Sequence, residues 1–333
     1  MRAALLAAVF AVSAVGQLVV TDQAGREVIL PPRVERVVDL HGGAKWVIYA
    51  LGGADLLVGA YFVTPPTEPV AQATLAEVDP RHREKELPIL PTVDALVALR
   101  PDVVFASSVV HGGAFADLLA EVGITTVLLF PETLDLLEEA FVLIGAVLGR
   151  EDRAQALAAR FHEMVEGVKS AAEGVEHRPD VYFAAYYPLN IYAGDVIQNV
   201  ITELAGGVPL GKEFAPYRAG AFWYRANVEQ VVLWDPEVII VPSYSRASRE
   251  EFFSDPAFSG TRAVKAGRVY RFPSFFGPWD TPSPEVVLGL LWLAEALHPG
   301  ATGLDLVAEV VRFYREFYGV ELAPDAVGAV LGK

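Results

Sequence analysis

The sequence predicts an α/β protein of two lobes, each with a mostly parallel sheet flanked by helices, joined by a single long α-helix. Three observations lead there. Short β-branched runs alternate with amphipathic helical segments, which is the grammar of parallel sheets. That rhythm stops over residues 133–175, where apolar positions recur at helical spacing with no strand among them. Finally, residues 92–104 are echoed by residues 227–239. Each stretch has a capping residue, an acid two positions on, an apolar helical face, a proline stop and then a strand.

In chain order, strands are expected over 34–40, 56–60, 103–106 and 125–130, with helices over 44–51, 92–99 and 115–122. Gly52-Gly53 and Gly123 stop two of these helices, and Pro131 breaks the last strand. Helices 133–148 and 151–172 follow. In the second, Ala154, Leu157, Ala158, Phe161, Val165 and Val168 fall on one face, and its length spans roughly 33 Å, enough to bridge two lobes. After Gly174 the alternation resumes, with strands at 180–184, 238–241 and 268–272 and helices at 196–205, 228–233, 284–297 and 304–318.

Residues 1–16 read as a signal peptide. Arg2 supplies the positive flank, residues 3–12 are an uncharged apolar run, and Ala14-Val15-Gly16 presents small residues for cleavage before Gln17. That run is shorter than the roughly 20 residues of a membrane-spanning helix. The 333 residues include no cysteine, which excludes disulfides, thiolate zinc sites and an N-terminal lipid. The expectation is a soluble periplasmic protein. Its net charge of −16 argues against a nucleic-acid partner. Its organisation is read as signal peptide 1–16, N-terminal α/β lobe 17–132, helical connector 133–175 containing the long helix, and C-terminal α/β lobe 176–333.

Several motifs occur in a telling order. They are the opening Val20-Thr21-Asp22-Gln23-Ala24-Gly25-Arg26-Glu27-Val28, then Arg36-Val37-Val38, Leu51-Gly52 and Val58-Gly59. Pro101-Asp102-Val103-Val104, Pro236-Glu237-Val238-Ile239 and Ala263-Val264-Lys265-Ala266-Gly267-Arg268-Val269-Tyr270 complete the set. In this order the chain resembles the helical-backbone (class III) periplasmic binding proteins of ABC importers, which take up ferric siderophores, haem and cobalamin. The resemblance covers nearly all of residues 18–320. It implies two lobes joined by one rigid helix, with ligand held between them and little movement on binding. It also implies docking onto the permease through one acid on each lobe, at Asp94 and Glu229, although Asp94 departs from the usual Glu.

Ligands of open α/β sheets sit beyond the carboxyl ends of the strands. There the sequence places His41, Tyr61, Phe62, Ser107, Ser108 and His111 in the first lobe, and Tyr186, Tyr187, Tyr192, Tyr244, Arg246, Phe275, Phe276, Trp279 and Asp280 in the second. The loop before Asn227 adds Tyr217, Arg218, Phe222, Trp223, Tyr224 and Arg225. Aromatic walls suit large or flat ligands, and Arg suits carboxylate or phosphate. By the resemblance, Trp223, Trp279 and Tyr61 match ligand-facing aromatics of the family. Three prolines stiffen the stretch 277–284, and Ser283 is expected to cap a helix starting at Pro284. His41 and His111 each precede Gly-Gly and could serve as axial ligands to a haem metal or as donors to an oxyanion.

No nucleophile elbow, phosphate loop or His-Glu-x-x-His motif occurs. The protein is expected not to be an enzyme, to need no resident cofactor or metal, and to act as a monomer with an ABC permease and its ATPase. The first-ranked ligand is an iron complex of the ferric siderophore type. Cobalamin, haem and a molybdate- or tungstate-type oxoanion are the alternatives, and a metal-dependent hydrolase is a remote one.

Overall fold

The computed structural model describes residues 11–12, 17–63, 66, 68–218, 220–300 and 302–331. The expected signal peptide lies outside them except for Ala11–Val12, a two-residue strand. The chain divides into two units, Met1–His162 with Tyr314–Val320, and Glu163–Phe313 with Glu321–Lys333.

The first unit holds a five-stranded sheet in which every neighbouring pair is parallel. Its spatial order is Glu86–Leu87, Leu57–Tyr61, Val37–Asp39, Val103–Ser107, Thr126–Leu129. The strands Val37–Asp39, Val103–Ser107 and Thr126–Leu129 are buried at every residue, as a sheet covered on both faces requires. Helices Val93–Leu99 and Gly112–Glu121 cover one face, packing Leu96, Ala116 and Leu119 on Val38, Val104 and Leu128. The opening motif folds as a hairpin of Leu18–Thr21 with Glu27–Leu30. Buried Asp22 explains its chemistry. One carboxylate oxygen accepts the backbone N–H of Ala24 and Arg26, and the other takes the Arg26 guanidinium at 2.7 Å and the Leu128 N–H at 3.1 Å. Asp22 thereby pins the hairpin to a strand more than a hundred residues away.

The second unit has a four-stranded parallel sheet in the order Val208–Pro209, Asp180–Phe183, Val238–Val241, Val269–Arg271. Tyr182, Ile239, Val241, Phe252, Phe258 and Val269 form its core. A separate antiparallel pair, Asn190–Tyr192 with Trp223–Arg225, sets Trp223 opposite Tyr192 and Tyr224 opposite Ile191.

The internal echo is structural. Thr92 Oγ1 caps Val93–Leu99 at Ala95 N, and Asn227 Oδ1 caps Val228–Trp234 at Gln230 N. Both helices have seven residues, and both end on a left-handed non-glycine residue, Arg100 at φ 47° and Asp235 at φ 42°.

The long helix runs Glu151–Glu173, and the boundary of the two units falls inside it. This division differs from the expected 17–132, 133–175 and 176–333. Helix Leu134–Val147, read as connector, belongs to the first unit, where Leu137, Phe141 and Ile144 are buried. Tyr314–Val320 also returns there. The Arg153 guanidinium donates to the Glu316 and Ala50 carbonyls, and Arg160 pairs with Glu316 at 2.8 Å. Helices Pro69–Val78, Arg249–Ser254, Arg262–Lys265 and Pro324–Val330 were not anticipated. Among the described residues, no helix is long and apolar enough to cross a membrane.

Candidate functional site

In the first unit His41 and His111 follow, and Tyr61 ends, neighbouring strands at the carboxyl edge of the sheet. Buried Asp39 shapes the His41 loop, since its Oδ1 accepts the N–H of His41 and Gly42 and its Oδ2 that of Lys45. Burial raises the Asp39 carboxyl above its usual range, opposed by Lys45 and these N–H groups. Lys45 is fully buried. Its ammonium donates to the Gly42 carbonyl and, at 2.9 Å, to the Tyr61 carbonyl, tying two loops together over the Trp46 and Phe62 rings. Gly42, at φ 87°, leaves room for the Tyr61 ring, which a Cβ there would meet at 3.2 Å.

The half-buried His41 accepts the Gly43 N–H on Nδ1 at 3.2 Å. The network thus assigns the proton to Nε2, which presents N–H as a donor. Desolvation, reinforced by Lys45 and His111, lowers the imidazole pKa to about 3, so the ring is neutral at physiological pH. Axial metal ligation through Nε2 would need the other tautomer and would break the Gly43 bond, whereas donation to an oxyanion needs no change. His111 departs from expectation. Its Nδ1 accepts from Ser107 N at 3.2 Å and its Nε2 reaches the Ile89 carbonyl at 2.8 Å, so both nitrogens are occupied in holding loops.

In the second unit Tyr186, Trp223 and Tyr244 form an aromatic wall. The Tyr186 ring lies 6.4 Å from Trp223 and 6.0 Å from Tyr244. Side chains alternate along Trp223–Arg225, so Trp223 and Arg225 share one side and Tyr224 takes the other. Trp223 and Arg225 line a groove of about 700 Å³ with Tyr187, Asn190, Tyr217 and Arg218. Among the described residues no carboxylate pairs with the Arg218 or Arg225 guanidinium, although Asp255 lines the same groove. Arg246 lies over the Tyr187 ring at 5.9 Å and donates to its hydroxyl at 3.3 Å.

Four expectations are corrected here. Tyr224 packs inward on Phe214, centroids 4.6 Å apart, with its hydroxyl on Gln230, because strand alternation turns it to the core. Trp279 is 0% exposed, a core residue rather than a ligand wall. Asp280 is also 0% exposed and cannot touch ligand directly. Instead its Oδ2 accepts the Tyr244 phenol at 2.7 Å, Tyr244 meets the Tyr192 hydroxyl at 2.5 Å, and Gln198 donates to the Asp280 carbonyl at 2.8 Å. Ser283 does not cap the next helix. That helix begins at Val286 after Glu285, and the Ser283 hydroxyl is buried without a partner.

The family model of the periplasmic binding proteins matches residues 37–274, well over half of the chain. The chain belongs to this family. It is 25% identical to the molybdate-binding protein MolA of Haemophilus influenzae, over 94% of both chains. MolA bound to molybdate superimposes with a TM-score of 0.76 at 22% identity, covering 92% of this chain and 99% of that one. An ABC transporter solute-binding protein from Sulfurospirillum deleyianum gives 0.78 at 24% identity, covering 95% and 99%. Helicobacter pylori CeuE in a Ni–His complex gives 0.77 at 20% identity, covering 94% and 98%. These structures share the fold.

Asp94 and Glu229 of this periplasmic binding protein both lie exposed in the first turn of the repeated helices, where an acid also favours the helix dipole. Exposed apolar residues accompany them, Val97 on the first helix and Val228, Val232 and Leu233 on the second, Leu233 being 83% exposed. Sequence reading missed Asp39, Lys45 and Gln198. A lysine inside an apolar helix start, six residues after an acid, was the available signal for the first two. Among the described residues no group of three or more His, Cys, Asp or Glu could hold a metal ion.

Proposed function

We propose that this protein is the periplasmic solute-binding component of an ABC importer, exported by its signal peptide. It delivers an anionic ligand to a permease and its ATPase, docking through Asp94 and Glu229. The observation that carries the anion is the groove in the second unit, where Arg218 and Arg225 stand beside Trp223 with no carboxylate partner among the described residues. A guanidinium fork binds oxyanions in two-point geometry. The neutral His41 donor in the first unit serves the same chemistry.

Within the anions we infer a small oxoanion of the molybdate or tungstate class. The kinship with a molybdate-binding protein over 94% of both chains supports it, and so does a His41 tautomer suited to oxygen rather than metal. A second reading is the anionic ferric chelate that the sequence ranked first. The groove volume of about 700 Å³ and its rings Tyr187, Tyr217 and Trp223 favour that larger ligand. Haem and cobalamin have less support, because His41 is not set for metal ligation and Trp279 is buried.

The test is titration of the chain from Gln17 onward with sodium molybdate, sodium tungstate and a ferric catecholate siderophore, followed by Trp fluorescence and Tm. Saturation by an oxoanion with a raised Tm supports the first reading. Saturation by the ferric chelate alone supports the second. A response only to a cationic or neutral ligand would reject the anion.

A further inference from the structure

Behind the wall of the second unit lies a buried polar chain that the binding function does not itself require. Asp280 is fully buried, its Oδ2 held by Tyr244 and its Oδ1 without a hydrogen-bond partner. The groups facing it are Tyr244 from the loop after Val238–Val241, Tyr192 from Asn190–Tyr192, and Gln198 from helix Ile197–Leu204. Its own segment adds Glu285, also fully buried. The basic residues of the neighbouring loops are engaged elsewhere, Arg246 on Tyr187 and Arg271 on the Ser243 carbonyl. Among the described residues no lysine, arginine or histidine pairs with Asp280. The carboxylate therefore lacks the counter-charge that burial of an ionised acid demands. One phenol away, the half-buried Tyr244 ring forms part of the wall with Tyr186.

We propose that Asp280 is a positioning residue that couples anion binding in the Trp223 groove to proton uptake, through the Tyr186–Tyr244 rings beside that groove. This rests on the anion reading above. An anion seated in the groove against Trp223, the first ring of the wall, brings a negative charge that disfavours a second negative charge behind the Tyr244 ring. That repulsion favours the protonated carboxyl. Linkage then makes the converse hold, so a protonated Asp280 binds the anion more tightly. The free carboxyl already stands at about 7, raised by desolvation and held down chiefly by the Tyr244 bond. The coupling therefore operates near neutral pH. Its sign also reports ligand charge, because a cation on the same wall would release a proton.

The experiment is calorimetric titration with sodium molybdate at pH 7 in buffers of different ionisation enthalpy, using wild type, Asp280→Asn and Tyr244→Phe. Molybdate is fully ionised there, so any proton taken up is the protein's. Wild type should take up as much as about half a proton, and affinity should weaken as pH rises through 7. Asp280→Asn should bind with no uptake. Tyr244→Phe should move the midpoint of the pH dependence upward, since the lost bond favoured the ionised form, and a purely structural role would not shift it. Binding without proton uptake in wild type, or equal uptake in Asp280→Asn, overturns the coupling. Absence of any molybdate heat in wild type instead overturns the oxoanion reading. The same titration with the ferric chelate then decides the coupling by the same criteria, and absence of heat from both anions overturns it together with the anion reading.

Discussion

Arg100 and Asp235 are the only non-glycine residues with positive φ among those described, and each closes a seven-residue helix just before a proline. The shared strain marks the two helices as copies of one device, and the acids Asp94 and Glu229 sit at the same place in each. Their side chains differ at the strained end. Asp235 binds the Arg262 backbone N–H at 2.8 Å and its guanidinium at 3.1 Å, whereas among the described residues the Arg100 side chain has no hydrogen-bond or ion-pair partner. Arg100→Gly should therefore stabilise the protein by up to about 1 kcal/mol, and Asp235→Gly should destabilise it. Urea unfolding of the two variants checks this asymmetry.

If the copies dock on a permease, reversing both charges should abolish uptake while leaving ligand affinity intact. Asp94→Arg with Glu229→Arg, assayed for transport in cells and for binding in solution, separates the two. Asp94→Glu should retain transport. Unimpaired uptake by the doubly reversed protein would remove the docking assignment.

His41 has a defined pH signature. Its folded pKa is depressed to about 3 against 6.5 for the free group. The neutral ring therefore contributes stability that is present above 6.5 and lost as pH falls toward 3. Histidine NMR should show its C2 proton unshifted between pH 8 and pH 5. His41→Asn should flatten the acid limb of the stability curve by on the order of 1–2 kcal/mol.

Asp280 has the opposite sign. Its folded pKa of about 7 lies above the free value of 3.8. The stability of its neutral form is fully present below 3.8 and is lost as pH rises through 7. Asp280→Asn should accordingly be more stable than wild type at pH 8, by on the order of 2 kcal/mol, and not at pH 4. Thermal melts at the two pH values read this directly.

Local chemistry explains what was legible from sequence. Thr92 and Asn227 announce their helices because capping is a contact within three residues, and the parallel strands announce themselves as unbroken apolar runs. The wall was legible only in composition. Trp223 reaches Tyr186 because Trp223–Arg225 pairs with Asn190–Tyr192, more than thirty residues away, and no periodicity reports such a pairing. The same pairing turns Tyr224 inward, so three consecutive residues expected at the ligand separate onto two sides. Trp279 and Asp280 sit in a proline-rich turn that reads as a surface loop. The packing of helix Val286–Leu297 buries them instead, with Gly289 admitting the Trp279 carbonyl at a distance any side chain would forbid.

Arg218 and Arg225 carry the central claim, so the decisive measurement is molybdate affinity in Arg218→Ala, Arg225→Ala and Trp223→Ala beside wild type. Loss of either guanidinium should weaken binding by about 1–3 kcal/mol, roughly tenfold or more, and loss of Trp223 by about 2 kcal/mol. Trp279→Phe should change affinity little. Wild-type affinity in both arginine variants would contradict the claim that this groove holds an anion.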